Sequence, residues 1–272
     1  MKRILIALFL FFVFSDVSYA QIGGMIQNTG PSGTLCPPFY ADSNVVLSWW
    51  AENGGDTGYA CDSAGNQVTV TENGTVDIGS YGSPALASMR ITDGDLNTNY
   101  LSISQTAGQY MSMGSNDQVI CLKYYTTDAD ITQSVYLFTG FDSEGDDGLH
   151  IYLNAGEYLS CQWRSEGGNT SMNESSLVKD SWATMACTWN YVDGSSDFLG
   201  ANPGDLSPWT NGWDQINQAI GTQGEDIENI YIGPRYGSDG DSGDDYIVRQ
   251  WVIIDNTYGY NSYNCETALT DW

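Results

Sequence analysis

Two aspartate-rich stretches carry the residues most able to do chemistry. GPRYGSDGDSGDDY, residues 233–246, crowds Asp239, Asp241, Asp244 and Asp245 into seven positions with only glycine and serine between them. FDSEGDDGLHIYLNAG, residues 141–156, sets Asp146 beside Asp147. Like charges at this spacing repel, which leaves three uses: a solvated loop, a cation cage, or half of a catalytic carboxylate pair. Calcium suits the second use, because it takes six to eight oxygens at about 2.3–2.6 Å in flexible geometry and accepts backbone carbonyls from glycine-rich loops. An EF-hand is excluded: the run from Asp239 to Asp244 puts Gly243 where a ligand is needed, and no glutamate closes the loop. A zinc site of the Cys/His kind is excluded too, since His150 is the one histidine and no CxxC pair occurs. Nucleophilic serine or cysteine chemistry lacks a second histidine or an elbow motif.

The charge balance narrows the partners. Residues 1–20 read as a signal peptide: Lys2 and Arg3, an apolar run over 4–14, and Ser18-Tyr19-Ala20 before the expected cleavage site. That run is too short to span a bilayer. Without Lys2, Arg3 and Asp16, 6 basic and 33 acidic residues remain, a net charge of −27. Such a balance disfavours nucleic acid and anionic membranes, which reward the opposite sign, and no membrane insertion is expected. It suits cation binding or a salty medium. The cysteines at 36, 61, 121, 161, 187 and 265 all follow the signal peptide, and an even count there favours disulfides.

The elements that must position these loops are strands. Residues 21–43 are rich in Gly, Pro, Ser and Thr and read as an N-terminal arm, pinned at Cys36. From residue 45 onward, β-branched and aromatic runs alternate with Gly/Asp/Asn/Ser turns. Strands are expected at 45–49, 67–71, 100–104, 119–125, 135–139, 149–153, 158–164, 182–190, 229–232 and 246–254. Only 213–220 offers a helical turn. Many evenly spaced strands with almost no helix mean a sandwich or barrel. The pattern runs unbroken to about residue 258, which reads as one domain, 44–258, followed by a short tail, 259–272.

Three ordered stretches resemble a known family. VVLSWWAENGG, CDSAGNQVTV, GSYGSPAL and LNTNYLSI follow one another over 45–103; VICLKYYT at 119–126 is paired with WATMACTWNYVDG at 182–194; IYIGP at 230–234 precedes IVRQWVIID at 247–255. Together they resemble laminin G-like and pentraxin-like domains of the concanavalin A-like lectin/glucanase superfamily. The resemblance implies an all-β, two-sheet antiparallel jelly-roll sandwich with ligand loops along its edges. It also implies a disulfide between Cys121 and Cys187, closing a loop of about 65 residues worth roughly 4 kcal/mol. The other four cysteines allow three pairings, of which Cys36 with Cys61 is nearest in sequence.

The same resemblance assigns roles to the carboxylates. Asp147, with Asp146 beside it, takes the place of the acidic calcium ligand before the D-x-L-x-I-x-L strand, and Asp226 matches the aspartate before the y-i-G strand. Pentraxins instead draw ligands from the loop after that strand, where Asp239, Asp241, Asp244 and Asp245 stand, although Arg235 occupies the position of a family glutamate. The glucanase-like members need E-x-D-x-x-E on one strand; here the run from Glu144 ends in Leu149, which argues against catalysis. His150 lies between Leu149 and Ile151 and faces opposite to both, as a half-buried or solvent-facing histidine. Trp209 and Trp213 stand in a loop and present the flat apolar surface that stacks on sugars. The chain therefore reads as a secreted, calcium-dependent binding module for glycans or another extracellular ligand. A self-assembling adhesive protein and a polysaccharide-degrading enzyme are the competing readings.

Overall fold

The computed structural model describes residue 36 and segments 45–52, 57–91, 98–106, 108–112, 118–127, 134–142, 148–154, 158–165, 168–174, 179–189, 195–196, 198–201, 218–219, 227–233 and 246–255. All its regular elements there are strands. β1 (Val45–Trp50), β2 (Tyr59–Asp62), β3 (Gln67–Val68), β4 (Thr71–Asn73), β5 (Asp77–Tyr81), β6 (Leu86–Ile91) and β7 (Tyr100–Ser104) open the fold. β8 (Gln118–Thr126), β9 (Val135–Phe141), β10 (Gly148–Asn154), β11 (Tyr158–Ser165), β12 (Gly168–Glu174) and β13 (Ala183–Trp189) form its middle. β14 (Ser195–Ser196), β15 (Phe198–Ala201), β16 (Gln218–Ala219), β17 (Asn229–Ile232) and β18 (Tyr246–Asp255) complete it.

Two antiparallel sheets result. The first runs β15-β13-β8-β18-β1-β2-β3, with β6 and then β5 attached to the first half of β18. The second runs β12-β11-β10-β9-β17-β7-β4. The alternating stretch 67–71, expected as one strand, divides between them: β3 pairs β2 in the first sheet, and β4 pairs β7 in the second. Gln218–Ala219, inside the expected helical turn, instead pairs as a strand with Ser195–Ser196.

Strand periodicity of two explains the core. Leu149, Ile151 and Leu153 of β10 point inward, as do Ile120, Leu122 and Tyr124 of β8 and Trp251 and Ile253 of β18. Trp49, Trp163 and Trp251 are among the largest side chains fully shut off from water. Phe138 of the second sheet meets Trp251 of the first edge to face, with ring centroids 5.2 Å apart. The turn after β2 is held by Asp62, whose Oδ1 accepts from the Ala64 and Asn66 backbone N–H groups at 2.9 and 2.8 Å.

The disulfides correct one expectation. Cys187 is bonded to Cys161, not to Cys121. β13 pairs with β8 so that Cys187 lies opposite Ile120 and Cys121 lies opposite Ala186. Side chains alternate faces, so this one-residue offset sends Cys121 and Cys187 to opposite sides of the first sheet. Cys187 faces the core, where Cys161 of the second sheet also faces, and the bond joins the two sheets with its Cα atoms 6.5 Å apart. Cys121 is bonded elsewhere. Cys36 is bonded to Cys61, which ties the arm to β2.

Candidate functional site

Every aspartate singled out in the sequence, Asp146, Asp147, Asp226, Asp239, Asp241, Asp244 and Asp245, lies outside the described residues, as do Trp209 and Trp213. Their described neighbours still show where each loop is rooted. Gly148, next to Asp147, pairs with Phe141 of β9. Ile227, next to Asp226, leads into β17, and the Glu228 N–H donates to the Phe141 carbonyl at 2.8 Å. These two loops therefore spring from strands flanking β9 at its Phe141 end. The loop 234–245 leaves from Gly233, whose N–H donates to the Leu137 carbonyl at 3.1 Å. That root is four residues back along β9, about 13 Å away. Among the described residues, no group of three or more His, Cys, Asp or Glu side chains is arranged to hold a metal.

The described residues do build a cluster on the outer face of the second sheet. Because Leu149, Ile151 and Leu153 face the core, His150 and Tyr152 face outward. On β9 an irregularity between the pairings of Ile151 and Tyr152 leaves Tyr136, Thr139 and Phe141 on the same outer side. Cross-strand pairing then aligns Ser102, Tyr231, Thr139, His150 and Gln162 in one row over five strands. Arg164 lies one step along from Gln162, opposite Gly148.

Rings surround His150. Tyr136 meets it edge-on at 5.2 Å and Phe141 at 4.6 Å between centroids. Tyr136 stacks on Tyr152 at 5.0 Å with planes 21° apart, and Tyr231 meets Tyr100 edge-on at 5.6 Å. His150 is 1% exposed, correcting the half-buried or solvent-facing expectation: flanking aromatic rings cover the short imidazole although its strand position faces out. Neither ring nitrogen of His150 has a hydrogen-bond partner, and neither has the buried Thr139 hydroxyl across from it. Burial first, and the Arg164 charge second, lower the His150 pKa to about 3, so the ring is neutral. Burial likewise raises the Tyr136 pKa, with Tyr152 adding and Arg164 opposing.

Chemically, the cluster holds a neutral imidazole with one donor and one acceptor and an unpartnered hydroxyl, both closed off from solvent beneath aromatic rings, beside a half-buried guanidinium. Among the described residues, no carboxylate pair faces it. The lone signal in the sequence was the alternation His-x-Tyr within an apolar strand; the partners Tyr136, Phe141, Tyr231 and Arg164 come from other strands.

No family model matches the sequence, and no curated protein matches it. Solved structures do share the fold. A binding domain of botulinum neurotoxin serotype D in complex with N-acetylneuraminic acid superimposes with TM-score 0.59 at 10% identity, over 83% of this chain and 51% of that one. A structure of botulinum neurotoxin type C, whose cell entry depends on two ganglioside molecules, gives 0.60 at 12% identity over 84% and 52%. The neurotoxin DC binding domain in complex with rat synaptotagmin II gives 0.58 at 11% over 82% and 50%. The chain spans about half the length of these neighbours, and at such identity the likeness shows the fold alone: a β-sandwich of two antiparallel sheets.

Proposed function

We propose that this chain is a secreted carbohydrate-binding module of laminin G/pentraxin-like descent. The observation that carries the reading is the outer face of the second sheet, where Tyr136, Tyr152, Phe141 and Tyr231 surround the unpartnered polar atoms of His150 and Thr139. Sugars are recognised by such pairings of flat ring surface with a few placed donors and acceptors. The neighbours that bind sialic acid and gangliosides support the ligand class. Disulfides at Cys36–Cys61 and Cys161–Cys187 support export.

Calcium belongs to the same reading. Asp146, Asp147 and Asp226 are its first ligands, because their loops are rooted side by side at the Phe141 end of β9. Asp239, Asp241, Asp244 and Asp245, which follow Gly233 in the chain, are the second source. A glycan array probed with the full chain, with and without chelator, tests both parts. Binding to a defined set of glycans that chelator weakens is the expected result. No glycan bound under either condition would sink the carbohydrate reading, and chelator-insensitive binding would remove calcium from it.

A further inference from the structure

The basic residues are where charge complementarity is legible, because the chain has only 8 of them against 34 acidic ones. Among the described residues, Arg90, Lys123, Lys179 and Arg249 are all engaged with partners. Arg90, for example, lies over the Tyr81 ring at 5.4 Å to its centroid and opposite Asp77 on the neighbouring strand. Arg164 differs. No carboxylate pairs with it among the described residues, and the groups on which its charge acts are the neutral His150 and Tyr136. A half-buried guanidinium is costly to leave uncompensated, and among the described residues no carboxylate offsets Arg164, so an anionic ligand group would find a partner there.

We propose that the ligand of this face is an acidic sugar whose carboxylate is held by Arg164, with its ring against Tyr136 and Tyr152 and its hydroxyls meeting His150 and Thr139. The inference rests on the carbohydrate-binding reading above and names the subclass and anchor. Arginine fits the role better than lysine would, because its planar fork matches a carboxylate with two parallel hydrogen bonds. Neutral His150 supplies one donor and one acceptor, and Thr139 supplies a hydroxyl; all three atoms lack partners now. A polyhydroxyl edge meets those needs, whereas a purely apolar ligand would leave them unmet. Contact requires the half-buried Tyr136 ring, set edge-on against His150, to turn aside. The chain's overall negative charge does not forbid an anion here. At physiological salt the Debye length is about 8 Å, so carboxylates beyond that distance are largely screened from Arg164.

The test uses N-acetylneuraminic acid and glucuronic acid, each beside its neutral methyl ester, titrated by ligand-observed NMR against the full chain. The wild type should bind each acid about ten-fold or more tightly than its ester, the value of a charge-assisted hydrogen bond. Arg164→Gln should lose that preference while keeping the ester affinity, and Arg164→Lys should recover part of it. Equal affinity for acid and ester in the wild type overturns the inference, as does an undiminished preference in a folded Arg164→Gln variant. If that variant does not fold, the acid–ester comparison in the wild type decides alone. No binding of any of the four sugars also overturns it. Neutral glycans bound on the array would then leave the carbohydrate reading standing, whereas an array without hits would sink both.

Discussion

His150 and Thr139 face one another across β9 and β10, buried and unpartnered, and their energetic consequences are opposite in kind. In the unfolded chain His150 protonates near pH 6.5, but in the fold it stays neutral down to about 3. The unfolded state therefore binds more protons between those values, and stability falls as pH falls through that window. At pH 5 the loss is about 2 kcal/mol. Urea melts at pH 7 and pH 5 should show this difference in the wild type and a much smaller one in His150→Phe; equal slopes would refute the account. Thr139→Val removes a hydroxyl that has no partner to lose, so stability should hold or rise by up to about 1 kcal/mol. The same variant should bind sugar more weakly, which a purely structural threonine would not do. The His-x-Tyr alternation was readable in the sequence as a face. That the face is sealed by rings was not, since Tyr136 and Phe141 reach it from a different strand.

Strand register decides the next level. Gly148 sits opposite Phe141 at the root of the acidic loop, and a Cβ built there would lie 1.9 Å from the Gly140 carbonyl oxygen. Backbone cannot yield as a side chain can. Gly148→Ala should cost several kcal/mol or fail to fold, measured by thermal melting. Gly140→Ala meets the flexible Met111 thioether at 2.6 Å and should cost less. Replacing Cys161 and Cys187 together by alanine removes a link of sequence separation 26, worth about 3.5 kcal/mol in the chain-entropy model. The strands with strong apolar alternation, such as β8, β10 and β18, were legible to within a residue or two. β2, β5, β6 and β12 were not. GNTSMNE of β12 has no apolar alternation at all; pairing with β11 makes it a strand.

Over the whole molecule, the charge of −26 sets the dominant electrostatic term. Self-repulsion is relieved by screening or by bound cations. Melting temperature should therefore rise with sodium chloride in metal-free protein. Millimolar calcium should raise it further than sodium chloride of equal ionic strength, and chelator should reverse that increment. If calcium does no more than matched salt, the aspartates are a solvated surface and the calcium part of the reading fails. The two sheets share one core, so these shifts should appear in a single cooperative transition.

By itself the sequence determined what local pattern and composition can determine: β-structure, acidity, cysteines suited to export, and loops rich in oxygen donors. Period-two alternation and net charge depend only on neighbours in the chain and on counts, so no fold is needed to read them. Tertiary structure decided everything that depends on which strand lies beside which. It sent Cys121 and Cys187 to opposite faces and joined Cys187 to Cys161. It split residues 67–73 between two sheets, and it set Arg164, His150, Thr139 and Tyr136 together from three strands. A register shift of one residue reverses every side chain on a strand; alternation within a strand marks which residues share a face, but which strand lies beside it is decided only in the fold.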